Sequence, residues 1–550
     1  MTIRLWILSV ALASLCRAQC DSIDFNQDGL FPDTQDVDDF RTVLAGGESS
    51  TGAHADIDFN NDGVFPDPED FAAFVRVFSG GPCVLASDSS GPAWQDYNGG
   101  PSARRVHVSS STGSDANDGS LEHPKRTIPQ GFALLLHGTG DGLFLKRGDV
   151  FPEYIGMPDG SWNKSGMHAD RPLWVGAYGE GPRPVVHGIG AANSAVLRFQ
   201  SGGGVSFVAV DSIDFQSVTG SPRNGISYWS SGDGLLIQNC RVQGFEGGIS
   251  LESNGATLAT GITGVVIRGC EISDQTPRGS HSQGLYVDRA SGICEWTMID
   301  RNGRLLNGDG TIFNHGSYVT SPTTGWAFEH CLVSRNSATG LQLRAQDTSA
   351  RWCVALDNPL GITTGHADIE GKSENGHVVW PNQWERWGWR GEVAHCLIVG
   401  GGDIALTKIG TAGWNPRGMP IGLGFVAGGR FTDNIVMQVT GGDPWAWCMG
   451  GLTTTWTVER NIVYAPQGRL FQDDHRAPRP AFGAGNVFHD GGAMPAGADF
   501  DAYIESIGYP SRNDYMVAAR AAWSRESWDS RFSPDAAYVF VKSRLSTGSN

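Results

Sequence analysis

The stretch Val106-His107-Val108-Ser109-Ser110-Ser111-Thr112-Gly113-Ser114-Asp115-Ala116-Asn117-Asp118-Gly119-Ser120 opens the part of this chain that decides its fold. His123-Pro124-Lys125-Arg126-Thr127-Ile128-Pro129 follows, then Gly140-Asp141-Gly142-Leu143-Phe144-Leu145-Lys146-Arg147-Gly148-Asp149. Val106 and Val108 alternate with a polar residue and predict a short strand, and the Gly, Asp and Asn after them predict a turn. Residues 129–137 read as an amphipathic helical stretch, and Leu143 and Leu145 mark a second strand.

Further along, short apolar runs recur in columns. Asn239-Cys240-Arg241-Val242, Gly269-Cys270-Glu271-Ile272, His330-Cys331-Leu332-Val333, Trp352-Cys353-Val354-Ala355 and His395-Cys396-Leu397-Ile398 share one pattern. Ile293-Cys294-Glu295-Trp296 is a looser member, and Asp433-Asn434-Ile435-Val436 and Arg460-Asn461-Ile462-Val463 continue it with Asn. A second column runs through Gly248–Glu252, Gly284–Asp288, Gly316–Thr320 and Gly340–Arg344, with Asp403–Lys408 as its extension. Alternation turns the Leu, Val and Ile of this column inward. Its outer ladders are then Ser250, Tyr286, Tyr318, Gln342 and Ala405, and beside them Glu252, Asp288, Thr320, Arg344 and Thr407.

The opening stretch resembles the first coil of a right-handed parallel β-helix of the pectate-lyase type. Stacked coils set equivalent side chains about 4.8 Å apart, so the Cys and Asn columns read as inward ladders of small core residues rather than as disulfides. The resemblance implies an all-β, single-stranded solenoid over residues 105–490, with residues 491–550 as a C-terminal cap. It also implies a long outer groove of the kind that acts on polysaccharide.

The 550 residues include 76 Gly, which suits many tight turns between short strands. The net charge is −18, and it is concentrated in residues 20–83, where fourteen Asp and Glu stand against Arg41 and Arg76. No basic stripe is present, which argues against nucleic acid as a partner. Residues 1–18 read as a secretory signal peptide, with Arg4 ahead of the apolar Leu5–Leu15. No later apolar run is long enough to span a membrane. A secreted or cell-surface, monomeric protein is expected.

Residues 19–83 contain a duplication. Asp24-Phe25-Asn26-Gln27-Asp28-Gly29 matches Asp58-Phe59-Asn60-Asn61-Asp62-Gly63 at an offset of 34 residues. Alternating oxygen side chains ahead of a glycine form the opening of an EF-hand calcium loop. Asp24, Asn26, Asp28 and Asp36 are the candidate ligands of the first copy, and Asp58, Asn60, Asp62, Glu69 and Asp70 those of the second. The pair resembles a dockerin-like module, which implies a small α-helical, EF-hand-like unit that binds calcium and docks to a protein partner. Cys20 and Cys83 flank it and can pair in an oxidising compartment. Residues 84–104 read as a linker.

Candidate chemistry lies on the outer ladders. Tyr286, Asp288, His315, Tyr318 and Arg344 mix acid, base and cation on neighbouring rungs, and His315-Gly316-Ser317-Tyr318 resembles an H-G-x-Y element met in polysaccharide-active β-helix proteins. For a lyase, Arg344, with or without a groove-bound calcium, would neutralise a uronate carboxylate, and His315, Tyr318 or Lys408 would move protons. For a glycoside hydrolase, Glu252 and Asp288 would flank the scissile bond, with Asp368 and Glu370 as a second pair. A surface protein that binds polysaccharide without cleaving it is the third reading. Trp384, Trp387 and Trp389 crowd one loop and are candidates for stacking on sugar rings. The Asn-Thr-Asp, Gly-His-Gly and Arg-Ile-Lys elements of polygalacturonases are absent.

Overall fold

Two-residue alternation builds three long sheets. The computed structural model describes residues 24–28, 34–44, 46–55, 59, 74, 91–189, 194–252, 261–279, 281–306, 310–311, 313–364, 373–374, 377–378, 389–400, 406–407, 419–424, 426–437, 447–450, 457–465, 471–473, 482–491 and 494–547. The signal segment, Cys20 and Cys83 lie outside them. The chain divides into two units, residues 1–90 and 91–550.

In the second unit every long sheet is parallel, and each strand pairs with its counterpart one coil earlier and one coil later. The first sheet runs from Arg105–Val108 to Thr457–Glu459, the second from Val150–Phe151 to Val487–Asp490, and the third from Ser161–Trp162 to Phe471–Asp473. This is a parallel β-helix. Its core is one apolar column, in which Leu251, Leu285, Val287, Val319, Leu341 and Leu343 are wholly buried behind the third sheet.

The corner between the first and second sheets explains the Cys column. Its leading residue is left-handed on coil after coil: Asn239 (φ 52°), Gly269 (57°), Trp296 (49°), His330 (52°), Trp352 (53°), His395 (52°), Asp433 (57°) and Arg460 (54°). For a residue with a Cβ this costs about 1–2 kcal/mol. The next residue ties the corner to the coil before it. Cys240 Sγ donates to Val210 O at 3.6 Å, Cys331 Sγ to Cys294 O at 3.3 Å and Cys396 Sγ to Ala350 O at 3.5 Å. Asn434 and Asn461 do the same through Nδ2, to Val393 O and Phe431 O, each at 2.8 Å. Cys and Asn interchange here because both are small and both carry a donor.

The column has one revision. Cys294 lies within the first sheet, in register with Ile267 and Phe328. The corner position of that coil belongs to Thr297, whose Oγ1 accepts from Cys270 N at 3.3 Å. Cys240, Cys270, Cys294, Cys331, Cys353 and Cys396 are all buried free thiols. A second ladder, of Gln275, Asn302, Asn336 and Asn358, stitches the opposite corner. Asn336 Nδ2 donates to Ile299 O and to Asn358 Oδ1, each at 3.0 Å, and Asn336 Oδ1 accepts from Asn302 N at 2.9 Å.

Two flanking segments cover the outer faces of the other two sheets. The second half of the expected linker lies on the first sheet. Tyr97 packs against Phe144 and Trp174, at ring distances of 5.1 and 5.9 Å, and Gln95 exchanges two hydrogen bonds with Gln238. The expected cap is a strap. Helices Phe500–Ser506, Arg512–Ala522 and Pro534–Thr547 lie along the outer face of the second sheet, on Met298, Leu332, Leu356, Leu397 and Val399. Trp523 Nε1 donates to Trp296 O at 2.8 Å, and Asp535 pairs with the buried His330 at 2.6 Å.

In the first unit, Thr34–Leu44 is helical. Phe25 and Phe40 of the first repeat meet their equivalents Phe59 and Phe74 of the second, with Phe40–Phe74 at 4.8 Å and Phe59–Phe74 at 5.2 Å. The duplication thus builds one shared aromatic core. Asp28 N donates to Asp24 Oδ1 at 3.0 Å and to Asn26 Oδ1 at 3.1 Å, and Asn26 N to Asp36 Oδ1 at 3.3 Å. Among the described residues no group of three or more His, Cys, Asp or Glu gathers as a metal centre. Asp58, Asn60, Asp62, Glu69 and Asp70 lie outside the described residues.

Candidate active site on the third sheet

The register of the third sheet sets out the site. Ser250, Tyr286, Tyr318, Gln342 and Thr363 are in line across five rungs. Glu252, Asp288, Thr320 and Arg344 form the adjacent line. His315 pairs with Gln283 at the other end of the strands, and its N–H donates to Gln283 Oε1 at 2.8 Å.

Four of these groups converge. The rings of Tyr286 and Tyr318 are 5.8 Å apart, edge to face, and the His315 ring is 5.4 Å from Tyr318. Arg344 Cζ is 5.9 Å from the centre of the Tyr318 ring. Gln342 bridges the line. With its amide oxygen toward the guanidinium, it accepts from Arg344 Nε at 2.5 Å and Nη2 at 3.0 Å, and its nitrogen donates to His315 Nε2 at 2.7 Å. Asp288 pairs with Arg289 at 2.8 Å, and Glu252 accepts from Ser250 Oγ at 2.7 Å.

Burial divides the roles. His315 is only 6% exposed, although its ring lies against outward Tyr318 and Gln342. Burial and then the Arg344 cation and His281 push its imidazole down to about 3, so it is neutral at physiological pH. Burial, reinforced by Asp288 and Glu252, pushes the Tyr286 phenol above the usual tyrosine range and keeps its proton on. Tyr318 and Arg344 are half-buried and reach the surface. The arrangement offers a fixed cation, a protonated phenol and a second phenol between them and the imidazole.

Of the residues expected from sequence, Tyr286, Asp288, His315, Tyr318 and Arg344 therefore share one outer face. Lys408, Trp384 and Trp387 lie outside the described residues. Trp389 begins the strand Trp389–Ala394 of the first sheet, opposite Val426, and so belongs to a different face. The rung after Thr339–Gln346 is Leu360–Thr364, not Asp403–Lys408. Leu406–Thr407 pairs instead with Gly310–Thr311, just ahead of His315. The signal for the correct rung was present, since Gly361-Ile362-Thr363 repeats the Gly-apolar-polar order of the column. The bridging role of Gln342 has no signal in sequence, because it depends on a rotamer between two neighbours.

No protein-family model matches the chain, and no curated protein matches it in sequence. Solved structures do. A rhamnogalacturonan lyase is 12% identical over 75% of this chain and 94% of its own, with a TM-score of 0.41. The A-module of a mannuronan C-5 epimerase from Azotobacter vinelandii is 11% identical over 64% of this chain and 87% of its own, with a TM-score of 0.41. A lacto-N-biosidase from Eubacterium ramulus is 13% identical over 70% and 68%, with a TM-score of 0.39. The assignment of a parallel β-helix rests on the strand register of this chain.

Proposed function

We propose that this is a secreted, carbohydrate-active β-helix protein that cleaves uronic-acid-containing polysaccharide by β-elimination on the third sheet. The observation that carries the reading is Arg344, a guanidinium oriented by Gln342 beside the phenol of Tyr318, which in turn meets that of Tyr286. Arg344 would pair with the substrate carboxylate and make the C5 proton more acidic. Tyr318, next to it and acting as the phenolate, would take that proton. The electron pair left on C5 forms the C4–C5 double bond as the C4–oxygen bond breaks. Tyr286, held in its protonated form, would protonate the departing oxygen. His315 is too buried to touch substrate, so its part is to hold Gln342 and the face of Tyr318 in place.

The test is a panel of uronate polymers, such as polygalacturonate and alginate, followed both by the ultraviolet absorbance of an unsaturated product and by reducing ends. A lyase gives both signals. Tyr318→Phe should lower kcat by about 10²–10⁴-fold with an unchanged melting curve. Reducing ends without absorbance would favour glycoside hydrolysis, for which Glu252 and Asp288 stand on adjacent rungs. Asp288 pairs with Arg289, so in that second reading Glu252 would be the proton donor. Retention of the polymer without either signal would make the protein a binder.

The oxygen-rich loops support calcium in the N-terminal unit, held by Asp24, Asn26 and Asp28 and their repeat equivalents, in a module that docks to a protein partner. Calorimetry on the full chain should show calcium uptake, reduced by Asp24→Ala with Asp58→Ala; no heat above buffer would remove the ion from this account.

A further inference from the structure

We propose that Trp229 is a stacking subsite for a sugar ring of the same polysaccharide, four rungs from Arg344; this rests on the lyase reading above. Trp229 follows the strand Asn224–Tyr228, and its N–H donates to Phe199 O at 2.8 Å, so the parallel ladder continues through it. Tyr228 is in register with Leu251, which places Trp229 beside Glu252. The outer line therefore reads Trp229, Glu252, Asp288, Thr320, Arg344. At about 4.8 Å per rung, the two ends are about 19 Å apart.

Exposure singles this indole out. Trp229 is 38% exposed, whereas Trp162, Trp174, Trp326 and Trp523 are buried in the fold. Among the tryptophans whose exposure is described it is the one exposed. A single exposed aromatic is ordinary; its place on the same line as the site's cation gives it meaning. The axial C–H face of a pyranose is apolar and suits an indole face, while Glu252 and Gln200 on the neighbouring rungs offer acceptors and donors to its hydroxyls. A pyranose unit spans about one rung, so a chain lying along the solenoid axis with its uronate on Arg344 reaches Trp229 at about its fifth sugar, about four residues further on. Trp229 then sets a minimum substrate length.

The experiment uses the full chain and uronate di-, tetra-, hexa- and octasaccharides. Trp229→Ala should raise KM about tenfold on the octasaccharide, leave kcat unchanged, and leave the di- and tetrasaccharide untouched. Trp229→Phe should restore most of the loss. An equal effect on all lengths, or none on the octasaccharide, overturns the subsite. If the wild type cleaves no uronate glycan, the lyase reading fails by itself, and retardation in native gels containing the same polymers decides the subsite. Retardation lost in Trp229→Ala then supports it, and retardation unchanged or absent from the wild type overturns it.

Discussion

Replacing Arg344 with Ala is expected to lower kcat/KM on a uronate polymer about 10²–10³-fold, the usual loss when one preorganised charge-stabilising donor is removed. The half-buried side chain bonds to Gln342 rather than to the core, so thermal unfolding should shift little. Arg344→Lys keeps the charge but loses the fork that Gln342 holds, and should recover only part of the activity. A second readout is independent of turnover. The guanidinium is one of the causes that hold the His315 imidazole at about 3. In Arg344→Ala the His315 resonance should titrate at higher pH, still below the ordinary histidine value because burial is the larger cause. Full activity in Arg344→Ala would move the site elsewhere on the solenoid.

Arg520→Met should be the most destabilising single change in the strap, by about 3–5 kcal/mol, because it strips a partner from a buried carboxylate. Asp300 is wholly buried and accepts from Ser334 Oγ at 2.6 Å, Arg335 Nη2 at 2.5 Å and Arg520 Nε at 2.7 Å. Arg520 also bonds Asp274 at 2.7 Å, so it joins two coils to the helix Arg512–Ala522. Burial alone would raise the Asp300 carboxyl, but the bonds from Arg335 and Arg520 outweigh it and hold the carboxyl below the usual value. A depressed carboxyl contributes stability that is fully present above its unfolded value of about 3.9 and is lost as pH falls through the lower folded value. The wild type should therefore resist acid to below about pH 4, and Arg520→Met should unfold at higher pH. The stability gap between the two should shrink as pH drops. Chemical denaturation followed by near-ultraviolet circular dichroism, which senses Trp523 on Trp296, checks both points. A gap that does not change with pH would mean that Arg520 acts only through packing.

The face of the third sheet was legible because alternation is a local property. Leu285 and Val287 point inward, so Tyr286 and Asp288 must point outward, and the same holds for Tyr318 and Arg344. His315 has the parity of the buried Val319, so alternation does not put its ring beside Tyr318 and Gln342; Gln283, Gln342 and Tyr318 close around it there. Cys294 matches the Cys column in residue type but not in register. Thr297 fills the same corner with an oxygen that plays a different hydrogen-bonding part from a thiol. Leu406–Thr407 does not extend the column because loops between rungs differ in length, so spacing along the chain does not identify the next rung.

Taken alone, the chain determined what short-range chemistry can determine. It specified short alternating strands, turns rich in Gly, Asn and Asp, a ladder of small corner residues, a duplicated acidic unit and the outward side chains of each strand. Tertiary structure decided which strands become neighbours, and with that which outward residues meet. It laid Tyr97 on Phe144 and Trp174, set Trp523 against Trp296, and brought Asp535 to His330 across two hundred and five residues. Those contacts arise because the outer faces of the first and second sheets present apolar side chains that must be covered, and the cover comes from wherever the chain has an apolar segment free to reach it. No local pattern encodes that choice; the packing of the whole chain makes it.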